Sequence, residues 1–232
     1  MATYVLVPGA GGGVWVWHRL IPELAALGHD AIAVDLPTGD DRAGLTEYAD
    51  AVVSAAEGVE GAVIVVAQSM GGFSAPLACA RVPVGLLVML NAMVPLPGET
   101  AGEWWAATGH AEARAGQAVR EGRTPTEEVD LLVDFFHDVP PEITAEAMAQ
   151  GGTAQSGTPF GQPWPLPEWP DVPTRFLQGR DDRFFPLAFQ REVVRERLGI
   201  PVDEMPGGHL LALSRPVELA ARLDRYRAEH GL

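Results

Sequence analysis

Val63-Ile64-Val65-Val66-Ala67-Gln68-Ser69-Met70-Gly71-Gly72 starts as a β-branched apolar run and ends in a serine flanked by small residues. Four consecutive β-branched residues favour a strand, and the lack of polar alternation implies that both its faces are buried. Met70–Ala80 reads as a helix, so Ser69 sits in the tight turn between strand and helix. That is the context of a nucleophile elbow, whose serine adopts a strained backbone conformation. The turn tolerates only small residues two before and two after the serine, here Ala67 and Gly71. Alanine departs from the usual glycine, but it is the smallest side chain other than glycine. A helix N-terminus beside Ser69 also offers free N–H groups and a positive dipole end to developing negative charge. Serine is equally a favoured N-cap of any helix, so the motif gains chemical meaning only from its partners.

Outward from this segment, apolar runs alternate with helical stretches. Tyr4–Val7, Ala31–Val34 and Val84–Leu90 join Ala62–Ala67 as predicted strands, and Trp17–Leu27 and Thr46–Ala56 are predicted helices. Near-continuous apolar runs separated by helices imply a mainly parallel sheet covered on both faces, and right-handed crossovers make the architecture doubly wound α/β. The pattern changes after Asn91. From about Val94 to Trp169 no strand is predicted, whereas Gly102–Arg120, Thr126–Phe136 and Pro141–Gln150 read as helices ahead of a Pro/Gly/Trp-rich stretch, Thr158–Pro170. Strand Thr174–Gln178, helix Leu187–Leu198, strand Val202–Met205 and helix Pro216–Tyr226 then resume the alternation. The expected organisation is a core of residues 1–93 and 170–232, interrupted by a helical cap at 94–169.

Composition narrows the chemistry. A chain of 232 residues can bury a large core without disulfides or metals. Its formal net charge of −15 opposes phosphate neutralisation, so nucleic acid is not an expected partner. All 16 cationic side chains are arginine; without lysine, Schiff-base chemistry and a phosphate-loop lysine are excluded. The one cysteine, Cys79, allows no intramolecular disulfide. The opening MATYVLVPGAGG reads as a strand rather than a signal peptide, and no apolar run is long enough to span a membrane. A cytoplasmic setting is expected, without a membrane partner.

A serine hydroxyl needs a base, and the base needs an orienting carboxylate. Of six histidines, only His209 follows a late strand in a flexible turn, Met205-Pro206-Gly207-Gly208-His209, which can deliver an imidazole to the carboxyl edge of the sheet. His29 lies in a turn at the opposite edge and His230 near the C-terminus. His18 begins a helix near the active edge and is expected to pack. His110 and His137 fall in the helical insert and are expected to face solvent. Gln178-Gly179-Arg180-Asp181-Asp182-Arg183 follows the penultimate strand, so Asp181 and Asp182 both lie at the correct edge. The order serine, aspartate, histidine is that of α/β-hydrolases. The oxyanion hole is expected from the Met70 N–H and from an N–H of the loop Pro8-Gly9-Ala10-Gly11-Gly12-Gly13, with Ala10 the candidate.

That loop has a rival reading. Gly9-x-Gly11 after a first strand, with Asp35 ending the second, resembles a dinucleotide-binding fingerprint. Val14 stands where the third glycine or alanine belongs, and Trp15 and Trp17 crowd the start of the required helix. The rival also leaves Ser69, the acid turn and His209 without a role.

Val5-Leu6-Val7-Pro8-Gly9-Ala10-Gly11-Gly12-Gly13-Val14-Trp15-Val16-Trp17-His18 resembles the first strand and oxyanion loop of the plant methylesterase and hydroxynitrile lyase branch of α/β-hydrolases, with Pro8 in place of that branch's histidine. Phe135-Phe136-His137-Asp138-Val139-Pro140-Pro141-Glu142 resembles a cap segment of the same branch. Gly208-His209-Leu210-Leu211-Ala212-Leu213-Ser214-Arg215-Pro216 resembles its histidine turn and closing helix. Gly179-x-x-Asp182 with Pro186 matches its acid turn, which favours Asp182 over Asp181. The resemblance spans almost the whole chain and implies an α/β-hydrolase fold with a Ser69, Asp182, His209 triad. The branch's lyases carry a lysine directly after the histidine and a threonine in the oxyanion loop; Leu210 and Gly9 stand there, so the resemblance implies an esterase.

The expected activity is cleavage of a small carboxylic ester or related acyl compound through an acyl-serine, needing no metal or organic cofactor. Trp104, Trp105, Phe135, Phe136, Phe160 and Trp164 make the cap aromatic. Trp104 and Trp164, with Met93, Gly9 and Leu210 near the sheet edge, are candidate substrate contacts, although most such aromatics simply join cap to core. A lactonase or C–C hydrolase would use the same three residues, and a small-molecule-binding protein of this fold is the alternative of a different class. A homodimer is compatible with the sequence.

Overall fold

The computed structural model describes residues 1–232. Strands β1 (Ala2–Val7), β2 (Asp30–Ala33), β3 (Ala62–Gln68), β4 (Leu86–Leu90), β5 (Thr174–Gly179) and β6 (Val202–Met205) form one sheet. Their order is β2-β1-β3-β4-β5-β6, and every pairing is parallel. The central strands are apolar at successive positions because each face has its own core. Val5 and Val7 of β1, with Val63, Val65 and Ala67 of β3, enter one buried cluster. Tyr4, Leu6, Ile64 and Val66 enter the other. A two-residue period that is apolar in both phases demands helices on both faces.

Helices α2 (Leu45–Ala56), α3 (Gly71–Cys79) and α7 (Leu187–Arg197) cover the first face; α1 (Leu20–Ala26), α8 (Leu211–Ser214) and α9 (Pro216–Glu229) cover the second. The edge strands differ. In β2 exposed and half-buried residues alternate, as suits a strand with one unpaired side. The chain runs outward from β1 to β2, then returns past β1 to β3, so the winding reverses between β1 and β3. The crevice at the carboxyl ends of those two strands is where an open α/β sheet receives ligands, and there the Gly9–Gly13 loop and Ser69 emerge.

Between β4 and β5 the chain forms α4 (Ala101–Thr108), α5 (His110–Arg120) and α6 (Pro141–Gln150), with one isolated bridge, Thr100 to Pro163. The sequence predicts one helix over Gly102–Arg120; the structure breaks it at Gly109, whose φ of 68° belongs to the left-handed region. The predicted helix Thr126–Phe136 is reduced to one π-turn, Leu131–Phe135. Arg114 accounts for the difference. Its guanidinium donates to the Thr126 and Glu127 carbonyls at 2.6 and 2.9 Å, holding them away from helical partners, and to Asp134 at 3.0 Å. The predicted helix Trp17–Leu27 is shortened to α1, and Trp17 instead ends a 3-10 turn, Val14–Trp17. No helix is long and apolar enough to cross a membrane.

Candidate active site

Ser69 is one of only two non-glycine residues with positive φ, at 52°. The turn is forced by crowding. A Cβ on Gly71 would lie 3.1 Å from the Val7 and Pro8 carbonyl oxygens, and one on Gly72 would lie 2.0 Å from the Met93 carbonyl oxygen. The Ser69 carbonyl accepts from the Gly72 and Met93 N–H groups at 3.1 and 2.9 Å, and its N–H donates to Leu90 at 3.2 Å. The serine backbone is therefore clamped by the end of β4, the segment after it and its own helix, at a geometry that persists only when its surroundings over-determine it.

Asp182, fully buried, stands just beyond the end of β5. Its Oδ1 accepts the Phe184 and Phe185 N–H groups, each at 2.8 Å; its Oδ2 accepts Gln178 Nε2 at 3.1 Å and meets His209 Nδ1 at 2.8 Å. Three donors besides the imidazole fix the direction of the carboxylate. Asp181 instead accepts the Gly207 N–H at 3.0 Å, so the two aspartates left open by the strand reading have separate partners. A carboxylate on Nδ1 fixes a tautomer with the proton on Nδ1 and a lone pair on Nε2. His209 Nε2 is buried and has no hydrogen-bond partner, Ser69 Oγ included. Phe135, Phe184 and Phe185 present their rings edge-on to the imidazole, with centroids 5.0–5.3 Å away; two of them also donate the N–H groups that hold Asp182.

Ser69 and His209 line one cavity of about 540 Å³. Gly9–Gly13 lines it, as do Phe135, Phe136, Met148 and Gly151–Thr153 from the segment between β4 and β5. No Asp, Glu or Arg side chain lines it. The Ala10 and Met70 N–H groups donate to no protein group, leaving two backbone donors beside the serine. A Cβ on Gly9 would lie 2.7 Å from Ser69 Cβ, so the loop passes the serine at a distance open only to glycine.

The chain matches the profile of the Alpha/beta hydrolase family over residues 4–222. It belongs to that family. Among its relatives, this hydrolase is 28% identical over 258 aligned positions to a probable esterase of Oryza sativa subsp. indica, spanning 98% of this chain and 97% of the other. It is 30% identical to the pyrethroid hydrolase of Sphingobium wenxiniae over 93% of this chain and 84% of that one. The crystal structure of a pyrethroid hydrolase from Sphingobium faniae superposes with a TM-score of 0.75 at 24% identity, covering 97% of each chain.

The hydrolase places the remaining candidates unequally. Gly9 and Leu210 line the cavity. Met93, Trp104 and Trp164 do not: all three side chains are buried within the core cluster that also holds residues of α2, α3 and α7. Trp104 donates to the Val94 carbonyl at 3.0 Å and Trp164 to the Phe73 carbonyl at 3.1 Å. They join cap to core because a buried indole needs an acceptor, and the backbone of the junction supplies one. Met93 serves the elbow through its backbone instead. His110, expected at the surface, is buried, with Nε2 donating to the Phe184 carbonyl at 2.7 Å. Burial, chiefly, holds it below the ordinary histidine value. Burial also holds His137 down and pushes the Cys79 thiol up to about 12, which keeps that thiol from acting as a thiolate nucleophile.

Sequence reasoning did not find Gln155 or Asp138. Gln155 Oε1 accepts the Gly11 N–H at 3.2 Å while its amide donates to Tyr48 at 3.1 Å, tethering the glycine loop to α2. Asp138 accepts the Gly208 N–H at 2.7 Å, one residue before His209. Both contacts join segments more than 60 residues apart, and no local pattern announces them.

Proposed function

We propose that this hydrolase cleaves a small, neutral carboxylic ester or related acyl compound through an acyl-serine, with Ser69 as nucleophile, His209 as base and Asp182 as orienting carboxylate. The observation that carries the reading is the division of labour on His209: Nδ1 is committed to a buried carboxylate, and Nε2 is unpartnered at a cavity that Ser69 also lines. Relatives described as esterases and a pyrethroid hydrolase support ester chemistry.

As the Ser69 oxygen bonds to the acyl carbon, Nε2 takes its proton, and Asp182 stabilises the resulting imidazolium. The Ala10 and Met70 N–H groups receive the tetrahedral oxyanion. Collapse breaks the bond to the alkoxy group, which leaves with the proton from Nε2. Water then adds to the acyl carbon, again losing a proton to Nε2, and Ser69 departs with that proton as the acid is released. Ester and water become acid and alcohol, and His209 returns to its starting state. The apolar, uncharged cavity suits a neutral substrate, and the net charge of −15 does not favour retention of an anionic product. Leu210 in place of a lysine, and the lack of room for any side chain at Gly9, argue against cyanohydrin cleavage.

Ser69→Ala is expected to lower ester turnover by about 10⁴- to 10⁶-fold, and a fluorophosphonate is expected to label the native chain stoichiometrically at Ser69. A folded Ser69→Ala protein with near-native turnover would refute the assignment. Native protein that neither reacts with the probe nor turns over aryl esters, lactones or thioesters would point instead to a binding protein of the same fold.

A further inference from the structure

The second strained non-glycine residue is Asn91, with φ at 45°. It lies directly after β4, the strand beside β3, and is completely buried. Neither the elbow nor the Asp182–His209 contact explains it. Its side chain does. Oδ1 accepts the Gly179 N–H at 2.7 Å, and Nδ2 donates to the Gly208 and His209 carbonyls at 3.0 and 2.9 Å. Gly179 ends β5 and opens the turn that carries Asp182; Gly208 and His209 belong to the turn after β6. One amide therefore spans the two turns that deliver the acid and the base. Gln68 Nε2 adds a contact to the His209 carbonyl at 3.3 Å.

The two turns approach too closely for any side chain between them: a Cβ on Gly179 would lie 2.4 Å from the Gly208 carbonyl oxygen. At that separation their spacing is set by backbone hydrogen bonding. Asn91 saturates one N–H on one side and two carbonyls on the other, using donors and acceptor in the orientation that only a neutral amide provides. A left-handed backbone is tolerated by asparagine more than by most residues, and it persists where surroundings require it.

We infer that Asn91 is a positioning residue, which fixes the Nδ1–Asp182 hydrogen bond of His209 by bridging the acid turn to the histidine turn. The inference rests on the proposed roles of Asp182 and His209. Its test therefore includes a readout independent of turnover.

In Asn91→Gly the backbone keeps its φ without a Cβ, while all three side-chain contacts are lost. Asn91→Asp keeps the shape and the acceptor for Gly179 but removes the donor to both carbonyls. Hydrolysis of p-nitrophenyl acetate and the downfield proton resonance of His209 Nδ1–H are measured on each variant that melts cooperatively, with native protein and Ser69→Ala beside them. The expected result is a resonance shifted or lost, with kcat lowered about 10- to 100-fold and KM changed less than about threefold, because misplaced groups cost rate more than binding. A resonance unchanged from native overturns the inference, whatever the melting temperature does. Native protein that shows the resonance but no turnover would count against the proposed hydrolase reading, while the resonance would still judge Asn91.

Discussion

Ser69 is strained, and the loop after β1 meets it through Gly9 with no side chain between. Gly9→Ala places a methyl carbon inside contact distance of Ser69 Cβ, and the Gln68 carbonyl at 3.3 Å blocks one direction of relief. The loop must retreat and carry the Ala10 N–H away from the oxyanion position proposed for it. Loss of one such donor costs about 10²- to 10³-fold in kcat, so steady-state kinetics of Gly9→Ala should show a fall of that order with KM little changed. Retention of native kcat would place the second oxyanion donor elsewhere. Asp182 illustrates what residue identity alone does not reveal. Its neighbour is the same amino acid, and only the direction of each carboxylate separates the one that meets His209 from the one that braces Gly207.

At the scale of elements, the cap divides its aromatic residues between two tasks. Trp104 and Trp164 fill the junction with the core, whereas Phe135, Phe136 and Met148 face the cavity. Trp104→Ala should therefore cost about 3–5 kcal/mol of stability, read as an earlier urea midpoint. Where that variant remains folded, KM should stay near native. Met148→Ala should do the reverse and weaken KM for bulky aryl esters at constant stability, since Met148 is partly exposed at the cavity wall. If Trp104→Ala changes selectivity among esters while Met148→Ala does not, this division is incorrect. The π-turn that carries Phe135 owes its course to Arg114, whose side chain removes two backbone carbonyls from a potential helix. Helical periodicity over Thr126–Phe136 was therefore a sound local reading overruled by one buried guanidinium from another helix.

Across the whole molecule, cap and core are linked at a titratable contact. His110 of α5 donates from Nε2 to the Phe184 carbonyl, in the turn that holds Asp182. Burial dominates its depressed pKa, outweighing that hydrogen bond. The unfolded chain, with histidine near about 6.5, therefore takes up a proton before the folded one does. Stability from this site is fully present above that value and declines as pH falls below it. His110→Gln, which retains an amide donor, should be less stable than native at pH 8, and the gap should narrow by pH 5. Thermal melts of both proteins at the two values test this; a gap independent of pH would show that His110 does not titrate with folding.

The parallel sheet, its two apolar faces and the elbow were legible in the chain because each depends on short-range order: β-branched runs, a serine among small residues, and glycines where backbone must approach backbone. The histidine turn and the pair of aspartates were legible as positions at a sheet edge. Strand-edge position left both aspartates open and the resemblance of the acid turn favoured Asp182; tertiary structure alone decided the partners each carboxylate takes, which aromatics between β4 and β5 reach the cavity, and that Asn91 and Asp138 brace the turns while Gln155 tethers the glycine loop. Those outcomes depend on contacts between segments distant in sequence, where a side chain's direction is set by neighbours that no local pattern specifies.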